Sequence, residues 1–323
     1  MADREPVFGN PEVQRVLRQN FIPLAMNDWY LRRQQDEAGE FFRRIADQGP
    51  RKGQGGTTRQ GRYAFTASGI LLGYNNNRSV ERILTMLREA LAEWGTLSDA
   101  ERRPKLPATT GETDKRFVRT APQGGAIVKV HTRILEKKGD LLQRCSAADA
   151  TTGGGTRGVG AAIDHLWIKP EEYAALLPTD ERPVALPAEM VFRIARWHLT
   201  DNTRGEPPFW DLPDVREAAI TLAKQPDGTV RMSGTFHMET PDGTRGFRGR
   251  LVGTLQGTRS ALTKWEAVVL GDHWGAGPYT PGARPGKSPL GFAFSLVAKP
   301  TPADLLPPQA AHWSDGYWRA NQR

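Results

Sequence analysis

Cysteine is almost missing from this chain: Cys145 is the only one in 323 residues. A single thiol excludes an internal disulfide and any redox centre built from two thiols of the same chain. Long apolar runs are missing too. No stretch approaches the roughly 18 residues needed to span a bilayer, and the acidic, proline-containing start lacks the apolar centre of a secretory signal. The chain as written is expected to be soluble and cytoplasmic, or periplasmic if a leader has been removed. Nor is there an excess of one charge in any one place. The net charge is +8, but 14 Lys and Arg stand against 11 Asp and Glu in residues 1–96, and 30 against 25 in the remainder. The basic pairs Arg32-Arg33, Arg43-Arg44 and Arg51-Lys52 sit beside acids or glycines and form no stripe, so nucleic acid is not an expected partner.

What is present describes two globular bodies. The length suits two domains, and 34 glycines with 24 prolines call for many turns. Residues 12–19 space Val13, Val16 and Leu17 as a helix does, and the apolar run 21–26 is short enough for a buried strand. A second helix follows over 36–46, with Asp36 as its N-cap and Phe41, Phe42 and Ile45 on one face. Residues 62–74 read as a hairpin with Gly69 in its turn. Ser79 caps a last helix in which Val80, Ile83, Leu84, Leu87, Leu91 and Trp94 keep helical spacing.

This order of helix, strand, helix, hairpin and helix, with Tyr63-Ala-Phe-Thr-Ala-Ser-Gly-Ile-Leu-Leu-Gly73 as the hairpin, resembles a thioredoxin-like α/β domain over residues 6–94. The Cys-x-x-Cys pair of that superfamily is absent: Asn27-Asp-Trp-Tyr-Leu31 stands after the strand and Thr57-Thr-Arg-Gln-Gly61 before the hairpin, with no proline there. The resemblance implies a redox-inactive groove where Asp28 and Trp29, with Tyr30, face residues 58–60 and bind a peptide or small polar ligand. Packing under the long loop is the other reading of the same residues. The whole chain also resembles uncharacterised bacterial two-domain proteins that join a thioredoxin-like domain to a β-rich one, a resemblance that brings no activity with it.

The expected division is a thioredoxin-like domain over 1–96, a proline-containing linker over 97–123, a β-rich domain over 124–300 and an extended tail over 301–323 anchored by Trp313 and Trp318. Strands are expected at 126–135, 215–224, 229–238, 247–255, 261–270 and 290–298. Pro226-Asp-Gly228 and Pro241-Asp-Gly243 turn between neighbours. The result is a mainly antiparallel sheet, curled into a roll or barrel, with covering helices at 170–177 and 187–198.

All six histidines fall at or beyond residue 131. His131 and His237 alternate away from the apolar face of their strands. His165, His198 and His273 instead flank acids and turns, and they form the preferred metal set. Asp201, Glu206 or Asp272 would be a fourth ligand or orient an imidazole, and Cu, Fe or Zn would be the ion. The alternative is that each histidine is a hydrogen-bonded structural residue. The loop 200–206 offers Arg204 for a substrate carboxylate and Asp201 or Glu206 for acid–base work, or else braces itself. The segment 271–279 follows a strand end, so Asp272, His273, Trp274 and Tyr279 are placed at the mouth of the roll. Cys145 has no local signature of a nucleophile, and the glycine-rich stretch 153–158 lacks the Gly-Lys-Ser/Thr ending of a phosphate loop.

Two functional readings follow. One is a metal-dependent enzyme, an oxidoreductase rather than a hydrolase, by analogy with its thioredoxin-like half. The other is a non-catalytic protein that holds a peptide, small molecule or partner.

Overall fold

The computed structural model describes residues 5–53, 58–77, 79–105, 120–145, 161–278, 280, 282–301 and 303–322. The chain divides into two compact units, Arg4–Val118 and Met1–Asp3 with Arg119–Arg323. Among the described residues no helix is long and apolar enough to cross a membrane.

The first unit begins with α1 (Glu5–Phe8) and α2 (Pro11–Asn20), where the Asn10 side chain accepts from the Glu12 and Val13 amides and Pro11 needs no partner for its nitrogen. The short α3 (Asp28–Leu31) and then α4 (Glu37–Ala46) follow, the latter capped by Asp36. Strands β1 (Arg62–Phe65) and β2 (Leu71–Asn75) form an antiparallel hairpin, which turns through Gly69 at φ +87°. Ser79 caps α5 (Val80–Thr96), and Ile83, Met86, Leu87 and Ala90 of its buried face pack with Val13, Val16 and Ala64. A capping box between Ser98 and Glu101 opens α6 (Asp99–Arg102). Arg44 donates to the carbonyls of Ser68 and Lys105, so the start of the expected linker is folded onto this unit.

One expected element is not formed. Residues 21–26 make no strand, and Ile22, Leu24 and Met26 are 89%, 65% and 53% exposed. Pro23 interrupts the run and removes one ladder donor. Among the described residues the sheet of this unit has two strands, so the core strand on which the thioredoxin-like order turned is missing from it.

The second unit is a large antiparallel sheet. In chain order its strands are β3 (Ala126–Lys138), β4 (Leu141–Arg144), β5 (Ala161–Ile168), β6 (Val184–Ala185), β7 (Val215–Lys224), β8 (Val230–Glu239), β9 (Gly246–Thr258), β10 (Ala261–Trp274) and β11 (Ser288–Leu296). Strands β7 to β11 are a meander, and β3 pairs with β11 on one side and with β5 and β4 on the other. Alternation decides the faces: Trp265, Ala267 and Val269 of β10 are buried, while Glu266, Val268 and Leu270 are exposed.

Helices α7 (Tyr173–Leu176) and α8 (Ala188–Arg193) cover this core, and α8 runs on into a π-helical turn, Ile194–His198. That turn touches both β5 and β7, near opposite ends of the sheet, so the sheet curls around it. One hydrophobic core joins Val128 and Val130, Leu166, Met190 and Val191, Ile220 and Leu222, Phe247 and Phe292.

Strand β5 would be a bare edge without the end of the chain. The segment expected as an extended tail forms a 3-10 turn, Gln309–Trp313, and α9 (Ser314–Trp318). Tyr317, fully buried, accepts a hydrogen bond from the Trp167 amide at 3.1 Å, and Arg193 donates to the Trp167 carbonyl at 3.3 Å. These two side chains satisfy edge groups that would otherwise recruit another strand. Arg193 is itself held by a two-pronged pair with Glu172, at 2.6 and 3.0 Å, and lies over Trp318.

Candidate functional site

The inward face of β10 ends at His273, because the strand runs to Trp274 and the alternation of Ala267, Val269 and Gly271 places His273 inside. Directly after it the chain turns at Gly275, φ +81°, where an added Cβ would lie 2.1 Å from the Thr244 carbonyl oxygen. Only glycine fits that turn.

His273 opens on a narrow recess walled by Asp201, Arg204, Arg284 and Ser288 and floored by Ile134 and Leu290. It has room for about one water-sized group. Asp201 is buried. Its carboxylate accepts from the Thr203 amide at 3.0 Å and hydroxyl at 2.5 Å, and pairs with Arg204 at 2.7 Å. Burial alone would push the Asp201 carboxyl up, but the Arg204 guanidinium and the Thr203 bonds outweigh it and hold it below the usual range. Arg204 also donates to the carbonyls of Thr280, at 3.0 Å, and Gly275, at 3.4 Å. The loop after the π turn therefore braces itself against the turn after β10, and Arg204 is spent on that.

Arg284 comes from the loop before β11. Its two terminal nitrogens donate to Leu135 O at 2.7 Å and Pro289 O at 2.6 Å. Among the described residues it has no carboxylate in ion-pair contact. Ser288 stands opposite His273 in the β10–β11 register, and its hydroxyl makes one long contact, 3.4 Å, to the His273 carbonyl. The His273 ring is 7% exposed and makes no hydrogen bond within the described residues.

Burial is the first cause that lowers His273 to about 4; Asp201 works in the other direction, and Arg204, Arg245 and Arg284 add to the lowering. The ring is thus neutral near pH 7. An unfolded chain takes up a proton at His273 near 6.5, whereas the folded one resists until about 4. The stability this neutral form contributes is complete above about pH 6.5 and is lost as pH falls through about 4, on the order of 3 kcal/mol in all. His131 and His165, also lowered by burial, add in the same direction. Urea midpoints measured from about pH 7 to pH 4.5 should fall, and His273→Gln should remove the larger part of the slope. An unchanged slope in that variant would contradict the assignment.

The other expected site residues go elsewhere. Asp272 and Trp274 alternate to the opposite face of β10 from His273. Asp272 faces Arg248 in register, and Trp274 lies across Gly246 with its indole N–H on the Gly243 carbonyl at 3.1 Å. Glu206 is exposed and makes no hydrogen bond within the described residues. Tyr279 and the glycine-rich stretch 153–158 lie outside the described residues. Cys145, buried after β4, donates its amide to Ile134 O.

The three histidines of the metal set have separate surroundings. His198 Nδ1 lies 2.9 Å from Asp164 Oδ2, and its Nε2 lies 3.0 Å from the Tyr317 hydroxyl, so both ring nitrogens are engaged. Asp164 also accepts from the His165 and Gln309 amides. Burial opposes ionisation of Asp164, but His198 and these amides outweigh it and hold the carboxyl below its usual range. His165 is buried beside the Lys129–Asp304 pair, its Nε2 without a hydrogen-bond partner. Among the described residues no group of three His, Cys, Asp or Glu side chains is placed to hold a metal ion. Both ring nitrogens of His198 are thus taken, while His273 faces the recess.

In the first unit, Asp28 does face residues 58–60. Its carboxylate accepts from the Thr58 hydroxyl at 3.0 Å and the Arg59 amide at 3.1 Å. Both oxygens are used to tie α3 to the chain before β1. Trp29 lies beneath the Arg33 guanidinium, 4.3 Å from the ring centroid.

Sequence reasoning found Asp201, Arg204 and His273 and missed Arg284 and Ser288. The only sequence signal for Arg284 is its place in the turn-forming Gly282-Ala-Arg-Pro-Gly286 just before a strand. Comparison of the chain with protein-family models, curated proteins and solved structures finds no match in any of the three.

Proposed function

We propose that the chain is a non-catalytic binding protein whose ligand docks at the mouth of the recess at the end of β10 and fills it with one small polar group. One observation carries this reading: a buried imidazole, His273, with no hydrogen-bond partner among the described residues, faces open space beside charged walls. Its ring nitrogens are open to the recess rather than sealed in the core, so they can bond whatever occupies it. The metal-dependent oxidoreductase has less support, since His198 is committed to Asp164 and Tyr317 and the preferred ligands do not share one centre.

The test is a magnetic-resonance screen of the full chain against small acids, amines and neutral amides, read at the His273 ring. Binding should perturb His273, and His273→Ala should abolish it while leaving the melting temperature within a few degrees. Hits that never touch His273 would overturn the site. Stoichiometric Cu, Fe or Zn in protein purified without an affinity tag, together with turnover, would overturn the non-catalytic reading.

A further inference from the structure

The charge balance around the recess is uneven. Arg204 and Asp201 cancel each other, while Arg284 keeps its charge against two backbone carbonyls and no contacting carboxylate among the described residues. A guanidinium carries five N–H donors, of which the carbonyls take two. Ser288 offers a hydroxyl, and His273 a ring nitrogen. The acceptors facing the space belong to Asp201 and are already occupied by Thr203 and Arg204. The recess therefore presents unused donors, and its lining carries two guanidiniums against one carboxylate, with Asp201 and Glu136 acting on Arg284 from beyond ion-pair contact. An ammonium group or a metal cation would meet Arg284; a neutral amide would leave the charge unanswered.

We propose, building on the recess as the binding site, that its ligand is a compact carboxylate, held by the Arg284 guanidinium, the His273 imidazole and the Ser288 hydroxyl. The recess has room for one carboxylate oxygen, and the rest of the ligand stays at its mouth. Charge-assisted bonds of this kind are about twice as strong as neutral ones.

Binding is coupled to a proton. The groups that face His273 are Asp201 and Arg204 from the loop after the π turn, Arg245 from the start of the β9 side, and Arg284 from the loop before β11. Three guanidiniums oppose its protonation and one carboxylate favours it. A bound anion redresses that balance, so His273 takes up a proton as the ligand enters. An empty recess keeps His273 neutral and the filled one makes it a cationic donor.

The experiment titrates the full chain with formate and with its neutral counterpart formamide, following the His273 ring signals assigned with His273→Gln. Formate should give a saturable shift and formamide none. Formate affinity should rise by roughly tenfold from about pH 7 to about pH 5. Arg284→Met should weaken formate by roughly tenfold or more. Because Arg284 also ties Leu135 to Pro289 and its loss can loosen the fold, Ser288→Ala is the second variant, with a loss of roughly threefold. Equal response to formate and formamide, or formate binding indifferent to pH and to Ser288→Ala, overturns the carboxylate while leaving the recess as a binding site. No response of His273 to either compound, or to any member of the screen, overturns both.

Discussion

Tyr317→Ala lowers the stability of the second unit by about 4 kcal/mol. The side chain is fully buried among Ile127, Trp167, Trp197 and Ala320, and its removal leaves a cavity in that cluster. It also strips the Trp167 amide and His198 Nε2 of a partner in a dry place, where each unmet group costs about 1–3 kcal/mol. Tyr317→Phe separates the two contributions. It keeps the ring and deletes the hydroxyl, so about 2 kcal/mol should be lost. Urea unfolding followed by tryptophan fluorescence measures both, and hydrogen exchange at the Trp167 amide should quicken in each variant. A Tyr317→Ala protein within about 1 kcal/mol of wild type would mean that the end of the chain does not secure β5.

Asp201→Ala is the second large effect, about 3–5 kcal/mol, because it leaves the Arg204 charge buried without its carboxylate. The paired variant tells bracing from ligand binding. If Asp201 and Arg204 serve each other, replacing both, Asp201→Ala with Arg204→Met, should be less damaging than Asp201→Ala alone. Denaturant midpoints of the three variants close the cycle. A double variant that is worse than Asp201→Ala would show that Arg204 stabilises the fold through the Thr280 and Gly275 carbonyls instead.

The meander was legible from alternation and turn residues. A strand expected over 215–224 is found as Val215–Lys224, because Pro226-Asp-Gly228 marks where it must reverse. Alternation of side-chain type stopped at Leu270, yet the strand continues through Gly271 and Asp272 to Trp274. Backbone pairing with β9 and β11 sustains it where side-chain polarity gives no pattern. Strand β5 was invisible for the opposite reason. One face lies in the core and the other beneath the last α-helix, so Leu166, Trp167 and Ile168 are all buried and nothing alternates. The run 21–26 misled because hydrophobicity alone does not supply a neighbour to pair with.

At the site, His273 was legible because it follows a strand and adjoins an acid. Its separation from His165 and His198 was not, since His198 is held by Asp164 and Tyr317 from distant parts of the chain and His165 is buried on β5. Arg284 reaches the recess only because β3 lies beside β11, which brings Leu135 O within 2.7 Å. No local pattern encodes that.

The pairing of β3 with β11 also sets an order in time. Ile134 meets Leu290, and Val128 meets Leu296, across most of the second unit, whereas β7 to β10 are joined by short turns and β11 follows after residues 275–287, so these strands can zip in sequence. Closing so long a loop is entropically slow until enough surface is there to hold it. The meander is thus expected to form first and β3 to dock afterwards. Arg284 can reach the Leu135 carbonyl only after that docking, so the recess is assembled at the last step and exists only in chains that have completed it.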